Sequence, residues 1–320
     1  MLNILAEQSF ASSVKFYWCY HEAPCLLPKA LSICENGIRT NTEMVPTSGS
    51  FIMINPIDRE ALRAQVRTAN PFPFFAIDNF LEPEFAEDVH AAFPSFEEVS
   101  RLGHKFTAVN EKNKVQVTDS SLFPAPIHAL HTQLAAPEFL ELVSYVMDIP
   151  RLIADPELAG GGIHETGPRG HLAVHVDFNY LPDRQLHRRL NILVYFNKDW
   201  QSKWGGEIEL WDKDVKTCHH AFMPIFNRCV VFETSNISFH GVAAVRCPEG
   251  AVRKSFAAYY YTKEAPAHWT GDVHSTIFKA RPDEYFKGKI AMPVEQAARS
   301  LQEGWRGVKQ GIKGVLGKNG

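Results

Sequence analysis

The sequence lacks several patterns that would assign it to other classes of protein. It has no stretch of about 18 consecutive apolar residues, as a membrane-spanning helix needs, and no C-x-x-C pair of the kind that binds zinc. Its N-terminus has no basic segment followed by an apolar core, so no secretory signal is indicated. The cysteines are therefore expected to be reduced thiols in the cytoplasm. They are Cys19, Cys25, Cys34, Cys218, Cys229 and Cys247.

A large excess of charge is also lacking. The 33 Lys and Arg residues and the 36 Asp and Glu residues leave a net charge of -3, which gives no general attraction to nucleic acid or to a membrane surface. No internal repeat or low-complexity run is present. A chain of 320 residues can bury one substantial core with supporting helices, or two small domains. Nothing in the sequence indicates the oligomeric state.

The residue pattern divides the chain into a leader, a helical support region, a core and an extension with a basic, glycine-interrupted helix near its end. The leader is poorly patterned, and the segment from Met53 reads like an ordinary protein start. We expect either that Met53 is the initiator or that the leader is a flexible or partner-binding tail. The four regions are residues 1–52, 53–155, 156–263 and 264–320.

Composition predicts the elements of the support region and of the core. Helices are expected at residues 57–67, 82–93 and 137–147, and a strand at residues 71–77. From about Gly160 onwards, short apolar segments alternate with Gly, Pro, Asn and Asp turns. This pattern predicts a mainly β fold with supporting helices (α+β), whose core is a double-stranded β-helix, or jelly roll, that can hold a small ligand.

Three residues have the spacing of a metal site. His175 and Asp177 are two apart in an apolar, strand-like stretch, so their side chains can face the same side. His240 follows a predicted strand and lies in a turn-like segment. Two histidines and one carboxylate on one face of a metal leave the other face open, as in non-haem Fe(II) oxygenases. A His-x-Asp pair alone also arises by chance in a chain with 14 histidines.

The presence of Arg253 and Ser255 further along the chain makes it less plausible that His175 and Asp177 have this spacing by chance. Arg253 and Ser255 lie on one face of a further predicted strand. A guanidinium group binds a carboxylate through two hydrogen bonds and a hydroxyl can add a third, so this pair suits the distal carboxylate of a buried dicarboxylic acid. The alternative is that Arg253 is a surface cation.

Residues of roughly 158 to 263 resemble the 2-oxoglutarate and Fe(II)-dependent oxygenase superfamily, in the branch that includes prolyl 4-hydroxylases. The motifs are ordered along the chain and cover about a third of it. They are Gly160–Glu165, His175–Asn179, Leu190–Trp200, Gly205–Leu210, Phe226–Arg228 and His240 through Arg253 to Ser255.

The resemblance implies roles for the site residues. His175, Asp177 and His240 would bind Fe(II), and Arg253 would bind the C5 carboxylate of 2-oxoglutarate with Tyr195 as a second donor. His164 is expected to line the site, and both it and Tyr195 have the alternative of a packing role. Ascorbate is a further candidate cofactor. In related halogenases a small residue replaces the carboxylate ligand, so Asp177 favours hydroxylation.

The resemblance also implies a reaction, in which an unactivated C–H bond is hydroxylated and succinate and CO2 are released. The branch suggests a prolyl residue in a peptide or protein as substrate, whereas other relatives act on free amino acids or small metabolites. Residues 179–189, with Arg184, Arg188 and Arg189, are either a lid or a plain basic loop. The alternatives are a non-redox metal-binding jelly-roll protein, such as a zinc hydrolase or cupin-like module, and a catalytically silent regulatory domain.

Overall fold

The computed structural model describes residues 53–267 and 269–284. The predicted leader and the predicted tail helix lie outside the described residues. The described helices are α1 (Arg59–Arg67), α2 (Pro83–Ala92), α3 (Phe96–Leu102), α4 (Ala125–Leu134) and α5 (Pro137–Met147). The described strands are β1 (Phe74–Ile77), β2 (His104–Thr107), β3 (Glu111–Val117), β4 (Ile153–Ala154), β5 (Gly162–Val176), β6 (Tyr180–Leu181), β7 (Leu186–Tyr195), β8 (Ile208–Trp211), β9 (Cys218–Phe222), β10 (Cys229–Glu233), β11 (His240–Val242), β12 (Arg253–Thr262) and β13 (Ile277–Phe278).

The helices begin where local chemistry satisfies their first backbone amides. The Asp58 carboxylate accepts hydrogen bonds from two amides at the start of α1, and Ser95 and Glu98 form a reciprocal capping box on α3. Proline begins α2 and α5, where its missing N–H has no partner to lose. The predicted α1, α2, α5 and β1 are thereby confirmed. The short helices α3 and α4 and the hairpin β2–β3 were not predicted.

All strand pairs are antiparallel, and the main path through the curled sheet runs β1-β10-β7-β12-β5-β11-β8-β9. The long strand β5 belongs to both halves of the fold. Its first part pairs with β12 and β3, and its last part pairs with β11 and β13. The mainly β fold with a jelly-roll core is confirmed. The support region is mixed rather than helical, because β1 and the β2–β3 hairpin join the sheet.

Strand alternation separates a helix-facing core from the inside of the roll. In β7, Ile192 and Val194 pack in the cluster that includes the buried faces of the helices. Their neighbours Leu193 and Tyr195 pack in a second cluster with Phe232 of β10. Since successive side chains on a strand point to opposite faces, the apolar runs of β7 and β10 are buried on both faces. The inner face is the one that is left to form a site.

The segment of residues 269–284, here called the C-terminal segment, lies against the strands of the roll. Its strand β13 pairs with β5 at Val176 and His175. The Arg281 guanidinium forms an ion pair with Glu209 at 2.7 Å. Within the described ranges, no helix is both long and apolar enough to cross a membrane.

Candidate metal centre and co-substrate pocket

Two neighbouring strands carry the predicted metal ligands. His175 is near the end of β5, and Asp177 comes just after its last residue. His240 is the first residue of β11 and pairs directly with His175 across the ladder. One ligand atom from each of the three side chains lies within 4.8 Å of the others. His240 therefore lies in a strand rather than in the expected turn, and antiparallel pairing is what brings it to the other two residues.

The hydrogen bonds of the two imidazoles decide which nitrogen faces the centre. Nδ1 of His175 lies 2.9 Å from the Ala173 carbonyl oxygen, and Nδ1 of His240 lies 2.9 Å from that of Ser238. A carbonyl oxygen can only accept, so each Nδ1 donates and Nε2 is the nitrogen of each ring that faces Asp177. These Nε2 atoms lie 3.5 and 3.4 Å from the two oxygens of Asp177.

Buried acceptor atoms that converge on one point repel one another, and a cation bound between them removes that repulsion. The charge state fits this reading. Burial, with His175 acting in the same direction, lowers the pKa of His240 to about 3. Burial alone would raise the pKa of Asp177, but Arg188 and the two histidines hold it well below its usual range. At neutral pH the site thus presents the neutral imidazole of His240 and the ionised carboxylate of Asp177, donors of the kind that suits Fe(II).

These side chains line a pocket of about 250 Å³, and Arg253 lies in its wall. Arg253 is 3% exposed. Its Nε donates to the Gly206 carbonyl at 2.7 Å, and its two terminal nitrogens lie 3.4 Å from the hydroxyls of Ser255 and Tyr195. Among the described residues it has no carboxylate within ion-pair distance. A buried guanidinium without a counter-ion is costly, so the pocket is built for an anion.

Tyr195 and Ser255 lie opposite each other in the ladder between β7 and β12, on either side of that guanidinium. Both are fully buried. Burial raises the pKa of Tyr195 to about 12, so its hydroxyl stays protonated and can donate. The structure thus brings the three predicted anion-binding residues together.

His164 and His171 also line the pocket. Nε2 of His164 lies 3.1 Å from the Gly160 carbonyl oxygen and therefore donates to it. Burial, with Lys114 nearby, lowers the pKa of His164 well below its usual value. Its Nδ1 consequently has a lone pair and no hydrogen. Such an atom accepts a hydrogen bond, which a donor group on a substrate could supply and a carboxylate could not.

Sequence reasoning assigned Arg188 and Arg189 to a lid or basic loop, which is wrong. Both lie within β7, and of the three arginines only Arg184 lies in the turn before it, where it pairs with Asp155. Arg188 is buried and its Nη2 lies 3.1 Å from Oδ2 of Asp177. The signal that was available is the apolar, strand-like sequence that begins directly after the two arginines.

Sequence reasoning also missed the contribution of β3. Lys114 and Gln116 line the pocket, and Lys114 forms an ion pair with Glu111 at 2.8 Å. Phe106 of β2 lies beneath the Lys114 ammonium group. The alternation of Val115, Gln116 and Val117 is a strand signal, but it is short and stands among charged residues.

Comparison with known proteins agrees with this geometry. Over 78 residues the chain is 32% identical to mouse (Mus musculus) prolyl 3-hydroxylase OGFOD1; the match covers 23% of this chain and 14% of that protein. The chain therefore spans only a small part of that relative. A prolyl-4-hydroxylase from Pseudomonas putida has a similar structure, with 17% identity and a TM-score of 0.43, over 62% of this chain and 98% of that one.

A second solved structure shows the same degree of likeness. It is a Trichoplax adhaerens prolyl hydroxylase in complex with a hypoxia inducible factor peptide fragment, with 17% identity, a TM-score of 0.43 and coverage of 63% and 88% of the two chains. Residues 161–261 match the model of the 2OG-Fe(II) oxygenase superfamily. This range contains all seven predicted site residues. The match supports the predicted enzyme class, with Fe(II) and 2-oxoglutarate as cofactor and co-substrate. The jelly-roll core of this chain is therefore similar in sequence to the 2OG-Fe(II) oxygenase superfamily.

Proposed function

We propose that the protein is an Fe(II)- and 2-oxoglutarate-dependent dioxygenase that hydroxylates a prolyl residue in a peptide or protein. The observation that carries the proposal is one pocket with two complementary features. At one place His175, Asp177 and His240 present electron pairs to a common point. At another, the buried Arg253 has no carboxylate partner among the described residues. A ligand with a chelating end and a distal carboxylate, such as 2-oxoglutarate, satisfies both.

One set of pocket residues would hold the metal ion and 2-oxoglutarate, and another set excludes water. His175, Asp177 and His240 would hold Fe(II), and Arg253, Tyr195 and Ser255 would hold the distal carboxylate. When bound, Fe(II) and 2-oxoglutarate supply the oxidation, in which 2-oxoglutarate and O2 become succinate and CO2 and one oxygen atom passes to the substrate. The apolar wall of Leu193, Ile208 and Phe232 keeps water from the reacting groups.

The prolyl substrate is supported by the OGFOD1 match, which is named a prolyl 3-hydroxylase. The inner pocket is polar near β3, where Gln116, Lys114 and Thr166 line it. These groups can hydrogen-bond a peptide backbone. A free amino acid or small metabolite is the competing substrate class. A cytoplasmic location and a stimulating role for ascorbate remain predictions.

Anaerobic reconstitution with Fe(II) and 2-oxoglutarate, followed by a succinate-release assay in air, tests the proposal. The screen covers proline-containing peptides, the same peptides with alanine in place of proline, free amino acids and metabolites. We expect succinate release and a mass gain of one oxygen atom with a proline peptide. Asp177→Ala should abolish both, whereas Asp214→Ala, an exposed carboxylate outside the pocket, should retain them.

The outcomes separate the alternatives. Full activity of Asp177→Ala would contradict the proposed metal site. Tight binding of zinc without binding of 2-oxoglutarate would favour the non-redox alternative, which the family match does not favour. Turnover with a free amino acid but with no peptide would keep the dioxygenase and overturn the prolyl-peptide substrate.

A further inference from the structure

Arg188 is a buried cation that forms an ion pair with a predicted metal ligand. Its side chain is 2% exposed, and its Nη2 lies 3.1 Å from Oδ2 of Asp177. Asn191, three residues along β7, donates from Nδ2 to the same oxygen at 2.8 Å. Arg188 in turn donates from Nε and Nη2 to Oδ1 of Asn191 at 3.2 and 2.8 Å. The three side chains therefore form a closed set of contacts, in which Arg188 and Asp177 form an ion pair and Asn191 is hydrogen-bonded to both.

Two aromatic rings hold the guanidinium group in place. Its central carbon lies 3.7 Å from the ring centroid of Tyr259 and 4.5 Å from that of Phe178. The Tyr259 hydroxyl donates to the Gly160 carbonyl at 2.9 Å, which fixes that ring. A guanidinium group held by rings is attracted to their faces and cannot swing freely. The guanidinium group of Arg188 is thus held in one position, in which it faces Asp177.

The two oxygens of Asp177 are therefore unequal. Oδ2 receives donors from both Arg188 and Asn191. Oδ1 instead faces the third side chain of the site and lies 3.5 Å from Nε2 of His175. We propose that Arg188, with Asn191, is a positioning residue that occupies Oδ2 and leaves Oδ1 as the single oxygen that Asp177 offers to the metal.

This inference rests on the proposed function and extends it in one respect. It assigns to Arg188 and Asn191 the orientation of the Asp177 carboxylate that would hold Fe(II). The inference also predicts that removal of Arg188 weakens metal binding. Groups that orient a metal ligand typically contribute 10- to 100-fold to metal affinity. If Arg188 only neutralised a buried charge, its removal would leave metal affinity unchanged or tighten it, because a nearby cation repels a metal ion.

The test is Mn(II) binding measured by isothermal titration calorimetry, since Mn(II) stands next to Fe(II) in the affinity order of divalent metals and its binding does not depend on turnover. We expect Arg188→Met to bind Mn(II) about 10- to 100-fold more weakly than wild type, with partial recovery in Arg188→Lys. The matched control is Arg189→Met. Arg189 is the next residue of β7, and it pairs with Glu233 and Thr262 instead of Asp177.

Asn191→Leu supplies a second test if Arg188→Met does not fold. It removes the other donor to Oδ2 and keeps a similar shape, and we expect about tenfold weaker Mn(II) binding. Folded Arg188→Met or Asn191→Leu with wild-type or tighter affinity would overturn the inference. Asp177→Ala separates the two proposals. If it too binds Mn(II) like wild type, the metal site itself is wrong; if only it loses Mn(II), the proposed function stands and Arg188 has no positioning role.

Discussion

Glu165 is a buried carboxyl group next to His164 in β5, and its side chain faces away from the pocket. It is 0% exposed, and neither of its oxygens has a hydrogen-bond partner among the described residues. It lies opposite Lys254 and Val115 in the sheet. Burial raises its pKa from 4.5 to about 7, although Lys254 acts in the opposite direction. At this residue, ionisation therefore opposes folding.

Glu165 should make stability fall as the pH rises. The folded-state pKa lies above the unfolded value, so the stabilisation is complete below about pH 4.5 and is lost as the pH rises to about 7. Urea unfolding at pH 5 and pH 8 should show that wild type loses on the order of 3 kcal/mol more than Glu165→Gln. Glu249→Gln, an exposed carboxylate, serves as the control. Equal pH dependence in Glu165→Gln and wild type would refute the effect.

At the scale of elements, β5 organises the site because its two halves belong to different neighbours. The sequence Gly160–Gly162 that precedes and begins it also lets β3 approach closely. Gly162 has φ +90, and a Cβ there would lie 2.1 Å from the Val117 carbonyl oxygen. Only glycine fits at this position. The contact fixes the register of β3, which carries Gln116 and Lys114 to the pocket.

Gly162→Ala is expected to destabilise the fold strongly. The backbone conformation costs an alanine about 1–2 kcal/mol, and the clash adds roughly 1–3 kcal/mol. Gly250→Ala isolates the first contribution, since Gly250 has φ +89 and nothing within 4 Å of the added Cβ. Urea unfolding midpoints of the two variants measure the difference. Equal destabilisation would show that β3 moves away without cost.

At the scale of the whole molecule, the site is assembled from residues far apart in the chain. Asp177 and His240 are brought together by the pairing of β5 with β11, and Arg253 by the pairing of β12 with β5 and β7. The C-terminal segment adds Phe278, whose ring centroid lies 5.4 Å from that of His175. The site therefore exists only when the sheet is closed, so ligand binding and folding are coupled.

Ligands should consequently raise the melting temperature in two separable steps. Mn(II) at 100 times its Kd contributes about 2.7 kcal/mol, and 2-oxoglutarate adds a similar amount at 100 times its own. For a domain of this size each step corresponds to roughly 5–10 °C. Arg253→Met should keep the metal-dependent step and lose the 2-oxoglutarate-dependent one in differential scanning fluorimetry. A full 2-oxoglutarate step in this variant would contradict the role of Arg253.

The features that depend on local pattern could be predicted from the order of the amino acids. The spacing of His175 and Asp177 on a strand, the pairing of Arg253 with Ser255 on another, and the proline-started helices α2 and α5 are all short-range. Periodicity also indicated a jelly roll. These inferences hold because strand and helix geometry relates neighbours in sequence directly.

Contacts between residues that are far apart in the chain, and the effects of these contacts on charge, follow from the folded sheet and not from local pattern. The ladder places His240 beside His175, and a bulge in β7 at Arg189, opposite β12, lets Arg188 turn inward to Asp177. Burial, which no local pattern reports, raises the pKa of Glu165, and it encloses Arg253 where no carboxylate of the described residues lies within ion-pair distance. The physical reason is that charge energies depend on solvent exclusion and partners from other strands. These conditions arise when the sheet closes.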